Sequence, residues 1–116
     1  MTNEQKDFLK ENPLVILATA DKSRQPRAIF VEAEVLDSGE LLITDNEMVV
    51  TLQNLLENQK VFILAFDKDY KHILKIIGNC RYHTEGKYLD LAKNLPTNAG
   101  YRPKGVLVIE IEEGLS

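Results

Sequence analysis

Few residues of this chain combine the types and spacing that chemistry needs. Serine occurs only as Ser23, Ser38 and Ser116. None sits in the Gly-x-Ser-x-Gly setting that exposes a nucleophile. His72, Cys80 and His83 lie close together, but a metal needs at least three converging ligands. On one strand His83 is an odd number of residues from both partners, so it faces the opposite way unless a bulge intervenes. They read as two surface histidines and a small half-buried cysteine, with no metal site. Glu32 and Glu34 share a strand face and have the makings of a carboxylate pair. Without a perturbing pocket they are solvent-side charges, and no catalytic residue is named.

The stretch Thr44-Asp45-Asn46-Glu47-Met48-Val49-Val50-Thr51 says more. A strand ends, short polar residues follow and a helix begins. A helix N-terminus carries unpaired N–H groups and partial positive charge, a place for a phosphate or the polar edge of a heterocycle. The neighbouring strand brings Arg27, able to pair a phosphate bidentately, and Phe30, able to cover a ring. The plainer reading is an ordinary capped helix beside an ordinary strand.

The elements that must position these residues follow from punctuation and period. Thr2-Asn3-Glu4-Gln5 fits a capping box, predicting a short helix with Phe8 and Leu9 inward and a stop at Asn12-Pro13. Leu14–Ala20 reads as a buried strand. From Arg27 to Val35 the alternation is strict, predicting one long strand with Ile29, Val31, Ala33 and Val35 on one face and Phe30, Glu32 and Glu34 on the other. Asp37-Ser38-Gly39-Glu40 marks a hairpin before a strand over 41–44. Asp45 or Asn46 caps a helix with a stripe of Met48, Val49, Leu52, Leu55 and Leu56. Val61–Phe66 is a continuous apolar strand, covered on both faces. His72–Tyr82 is a long strand with Gly78 as a bulge or a point of close approach. Thr84 caps a third helix with Tyr88, Leu91, Ala92 and Leu95 inward, and a last strand covers 106–111. Short links between strands favour antiparallel pairing. The expectation is a mainly β, α+β fold: a six-stranded antiparallel split β-barrel with short outer helices.

Composition bounds what such a domain does. The chain has 116 residues, which fits one domain over 1–116. With 14 basic against 18 acidic residues the net charge is −4, which disfavours a nucleic-acid partner. The lone Cys80 excludes an internal disulfide. No apolar run approaches the ~20 residues of a membrane span, and the polar, acidic start is no secretory signal. A cytoplasmic protein is expected.

Several segments then line up with a known family. Leu14-Val15-Ile16-Leu17-Ala18-Thr19-Ala20-Asp21 resembles the first strand and turn of the FMN-binding split-barrel proteins related to pyridoxamine 5′-phosphate oxidase, above all their short single-domain prokaryotic members. Gln25-Pro26-Arg27 is similar to the start of their second strand. Leu42-Ile43-Thr44-Asp45-Asn46 running into Thr51-Leu52-Gln53-Asn54-Leu55 resembles their strand–turn–helix segment. Glu57-Asn58-Gln59-Lys60, then Val61-Phe62-Ile63-Leu64, and Ile77-Gly78-Asn79-Cys80 fill the later places. The likeness runs from about residue 5 to residue 113, and it rests on the order and spacing of the segments.

The resemblance implies FMN held at a homodimer interface. It assigns second-strand contacts to Phe30, Val31 and Glu32, third-strand and turn contacts to Ile43, Thr44, Asp45 and Asn46, and phosphate-side contacts to Val50 and Thr51, with Arg27 nearby. The chain departs from the family pattern twice. Val50 stands where a lysine is usual, and Val31 where a hydroxyl is often found. Each removes a polar partner worth about 1.5–3 kcal/mol. Arg27, or Arg102 or Lys104 from a partner subunit, is the available replacement. The implied function is a small FMN-dependent oxidoreductase or electron-transfer flavoprotein, in which the cofactor carries the chemistry. The alternative is a non-enzymatic barrel with a degenerate flavin site that takes another planar ligand (haem or a deazaflavin) or none. An oligonucleotide-binding barrel is disfavoured by charge and by the few aromatics.

Overall fold

A computed structural model describes residues 1–45, 48–98, 100 and 103–115. Thr2 opens the chain as its spacing predicts. Its hydroxyl accepts from the Gln5 N–H at 3.1 Å, and the Gln5 side chain accepts from the Thr2 N–H at 2.9 Å. This capping box starts α1 (Asn3–Glu11), which buries Leu9 and ends at Asn12. β1 follows (Leu14–Ala20). The Asp21 carboxylate then accepts from the Ser23 and Gln25 N–H groups and turns the chain into β2 (Pro26–Glu32), antiparallel to β1.

The long alternating strand is in fact two. The period continues through Ala33, but the partner changes there. β2 pairs with β1, whereas β3 (Glu34–Val35) pairs with β4 (Leu41–Asp45). Ala33 is buried, and its N–H donates to the Pro13 carbonyl at 2.8 Å. Alternation reports only which face a residue shows, so it carries no sign of a change of partner. The remaining elements are α2 (Val50–Glu57), β5 (Lys60–Phe66), β6 (Ile73–His83), α3 (Lys87–Lys93), a 3-10 turn (Pro96–Asn98) and β7 (Gly105–Leu115).

The sheet is antiparallel throughout and runs β2-β1-β5-β6-β7-β4-β3. Its first and last strands are separated by the single residue Ala33. The sheet therefore curls until its two ends meet at that corner. This is the expected mainly β split barrel, with seven strands in place of six. β2 and β4 face one another across a seam and are not neighbours in the ladder.

One core fills the curl, with Leu9, Leu17, Ile43, Ile63, Ile76 and Ile109 among its buried members. A second, smaller core packs Leu42, Val106 and Val108 under Leu89 and Ala92 of α3. β7 lies between the two, so all of Val106, Leu107, Val108 and Ile109 are buried.

β5 is covered on one face only. Val61, Ile63 and Ala65 are buried, while Phe62 remains 37 % exposed on the outside. The two later helices also differ from their sequence reading. α2 buries Thr51, Asn54 and Leu55 and leaves Val49 and Leu56 exposed. α3 starts after Gly86 without a side-chain cap from Thr84, and exposes Leu91. Among the described residues no helix is long and apolar enough to cross a membrane.

Gly78 marks a register shift between β6 and β7, the bulge its position suggests. A Cβ there would lie 2.7 Å from both the Glu110 carbonyl oxygen and Ile109 Cγ2. Backbone cannot yield as a flexible side chain does, so a Gly78→Ala variant is expected to lose about 1–3 kcal/mol of stability, read by urea denaturation. An unchanged midpoint would show that the bulge relaxes at no cost.

Candidate functional site

The seam between β2 and β4 opens as a cavity of about 550 Å³. Ile29, Val31, Val35, Leu42, Met48 and Leu95 give it apolar walls. Lys10, Glu32, Glu34, Thr44 and Asn98 bring the polar groups. β2 ends the hydrogen-bonded order, so alternate residues turn their N–H and C=O toward the open side. A ligand lying along this edge meets backbone donors and acceptors in alternation. Phe30, on the outer face of β2, stands 67 % exposed at the rim.

Beyond the cavity, the end of β4 is fixed from within. Asp45 is fully buried. One carboxylate oxygen accepts from the Met48 N–H at 2.7 Å, and the other accepts from the Tyr82 hydroxyl. Burial, with Asp45 as a charged acceptor beside it, pushes the Tyr82 phenol well above its ordinary value. Gly105 makes room for this ring, since a Cβ there would lie 2.5 Å from the Tyr82 oxygen. Asp45 therefore bonds to Met48 and Tyr82 and does not cap α2. α2 begins at Val50 with Val49 in the cap position and no side-chain bond. Its first N–H groups are left for water or a ligand.

The structure thus divides the residues assigned by resemblance. Phe30, Val31, Glu32 and Thr44 line one cavity. Val50 is 40 % exposed in the first turn of α2, two residues after the cavity-lining Met48. Thr51 and Ile43 are buried, as is Asp45, so these three turn their side chains inward. Arg27 is exposed at the start of β2, opposite Thr19. Asn46 and Arg102 fall outside the described residues. Lys104 is exposed, and its N–H donates to the Asp45 carbonyl at 2.9 Å.

The other chemical candidates separate. His72, just before β6, pairs with Asp67 at 2.7 Å. His83 closes β6 with its ring 5.1 Å from that of Tyr88. Cys80 is buried, and burial pushes its thiol up to about 12, so it is no nucleophile at neutral pH.

Sequence reasoning missed Met48, Leu95 and Asn98 as cavity residues, and read Glu34 as solvent-side charge only. Asn98 is 54 residues from Thr44 in the chain. Nothing local to either residue announces the contact.

A family profile described as pyridoxamine 5′-phosphate oxidase matches residues 1–116. An uncharacterized protein of Methanocaldococcus jannaschii is 39 % identical over 89 % of this chain and 72 % of its own length. Among solved structures, HupZ of Group A Streptococcus is similar with a TM-score of 0.87 at 26 % identity, covering 98 % of this chain and 91 % of that one. A putative pyridoxamine 5′-phosphate oxidase of Lactobacillus delbrueckii reaches 0.84 at 23 % identity over 100 % and 93 %. The fold alone is shared with an FMN-binding protein of Syntrophomonas wolfei at 0.75 and 16 % identity. It is also shared with an F420 reductase at 0.73 and 18 %, and with a haem storage protein of Vibrio cholerae at 0.76 and 13 %.

Proposed function

This chain belongs to the pyridoxamine 5′-phosphate oxidase family, and on that premise we propose that it holds FMN in the cavity between β2 and β4 as a homodimeric oxidoreductase or electron-transfer flavoprotein. One observation carries the reading: apolar walls, an open strand edge and the Thr44 hydroxyl surround a space of about 550 Å³. Those features fit a flat heterocycle with an apolar face and a polar rim.

Ile29, Val31 and Leu42 would bear on the ring faces. The backbone edge of β2 and Thr44 would answer its polar rim. Phe30 would shield the open side from water. Arg27 and the uncapped start of α2 would answer the phosphate. When bound, FMN supplies the hydride and electron chemistry. The walls would exclude water from one face of the ring, and Lys10, Glu32 and Glu34 would bring charge of both signs to the cavity.

Titration of the purified protein with FMN, read by flavin fluorescence and visible absorbance, is expected to saturate near micromolar concentration. Fluorescence unchanged at high micromolar protein would overturn the reading.

Val31 and Val50 support a second reading. They leave the phosphate side poor in partners, as in a barrel that takes haem or a deazaflavin. That reading requires a non-flavin ligand to saturate the same site while FMN does not.

A further inference from the structure

We propose that Asn98 is a positioning residue of the cavity, which sets the Thr44 hydroxyl to donate its hydrogen to an acceptor atom of the bound flavin; this rests on the flavin reading above. Asn98 sits on the 3-10 turn after α3 and is only 7 % exposed. Its side-chain nitrogen lies 2.7 Å from the carbonyl oxygen of Ala92 and 2.9 Å from Thr44 Oγ1.

The two ends of an amide are not equivalent, since the nitrogen only donates and the oxygen only accepts. The Ala92 carbonyl can only accept. A reversed amide would press two acceptors together in a buried place, so the nitrogen is fixed on that side. The same nitrogen reaches Thr44, so the Thr44 oxygen is the acceptor in that bond. Its own hydrogen is not spent on Asn98.

The position of Thr44 decides where that hydrogen goes. Leu41, Leu42, Ile43 and Asp45 of β4 are all buried, and Thr44 is the one partly exposed residue of the strand. It lines the cavity beside Asn98. The hydroxyl is therefore a donor held against the cavity. The ligand group it suits is a pure acceptor, such as a ring carbonyl, an unprotonated ring nitrogen or a phosphate oxygen. A ligand presenting only N–H groups there would take the second lone pair of the Thr44 oxygen and leave its hydrogen without an acceptor, a poorer match. Asn98 touches the ligand only through Thr44.

The test is a double-mutant cycle on FMN affinity together with side-chain amide NMR of the ligand-free protein. Thr44→Val and Asn98→Ala are each expected to weaken FMN about tenfold. The double variant should be little worse than either single one, and Thr44→Ser should keep the wild-type affinity. An Asn98→Ala loss of equal size in the Thr44→Val background would overturn the proposal, because a merely structural asparagine acts regardless of the hydroxyl. If Asn98→Ala fails to fold, the contrast of Thr44→Val with Thr44→Ser carries the test, and equal affinities overturn the donor role. In the ligand-free protein the Asn98 amide resonances are expected to shift in Thr44→Val; unshifted resonances overturn the pairing. A wild type that binds no FMN overturns the flavin reading and the named ligand, while the NMR still decides the pairing.

Discussion

A Phe62→Asp variant is expected to behave as a monomer in light scattering at concentrations where the dimer proposed for the wild type forms. The reason lies on the outer face of the sheet. Phe62 is flanked by Ala18 of β1 and Ile77 of β6. In the next row Leu64, Ile16 and Phe30 stand side by side across β5, β1 and β2. Phe62 is 37 % and Phe30 67 % exposed. This contiguous apolar surface is the contact surface proposed for the homodimer. Because this face carries Phe30 at the rim of the cavity, the partner proposed for it is a second copy that helps close the ligand site.

In a two-fold interface each substitution occurs twice, so two carboxylates would lose water. An unpaired buried charge costs several kcal/mol, which corresponds to a dissociation constant raised roughly a thousandfold or more. The side chain points out of the core, so the thermal midpoint of the separated chain should move far less than the association does. FMN affinity should fall together with dimerisation. A wild type that is monomeric at high concentration would contradict the interface.

A Val50→Lys variant is expected to bind FMN about ten- to a hundredfold more tightly and riboflavin no better. Val50 lies in the first turn of α2 and is 40 % exposed. A longer side chain there displaces little packing. A lysine near the start of a helix opposes the helix dipole by about 0.3–1 kcal/mol. A charge-assisted bond to a phosphate contributes about 1.5–3 kcal/mol, so the gain exceeds the loss when the phosphate is present. Riboflavin has the same ring and no phosphate, so it isolates that one interaction. Equal affinities before and after substitution would place the phosphate elsewhere, and equal gains for both flavins would show that the lysine acts on the ring.

Sequence carried the elements better than the site. The reading by local rules held at several places, though not at Thr84, which does not cap α3. The Thr2 capping box, the Leu14–Ala20 strand and the Gly78 bulge are set by neighbours in the chain. It failed where a distant partner decided. Asp45 looks like a helix cap by type and place, but Tyr82, 37 residues away, shares its carboxylate with Met48. Val61–Phe66 looks buried on both faces because all its residues are apolar. The outward residues are instead only partly covered, with Phe62 exposed and Leu64 and Phe66 half-buried. The cavity itself was legible only in part. Phe30, Val31, Glu32 and Thr44 came from the resemblance, whereas Asn98 enters through a long-range contact that no spacing encodes.

The corner at Ala33 has a mechanical side. Elsewhere in the barrel, neighbouring strands are held by ladders of hydrogen bonds, and prising them apart breaks several at once. Across the seam β2 and β4 are not paired. They are tied covalently through Ala33 and through the short β3 that pairs with β4. The width of the cavity is therefore set by side-chain packing and by the joint at Ala33, with no strand ladder across it. Ala33 is buried and its N–H donates to the Pro13 carbonyl, so the one-residue joint that sets this width is itself pinned to the chain just before β1.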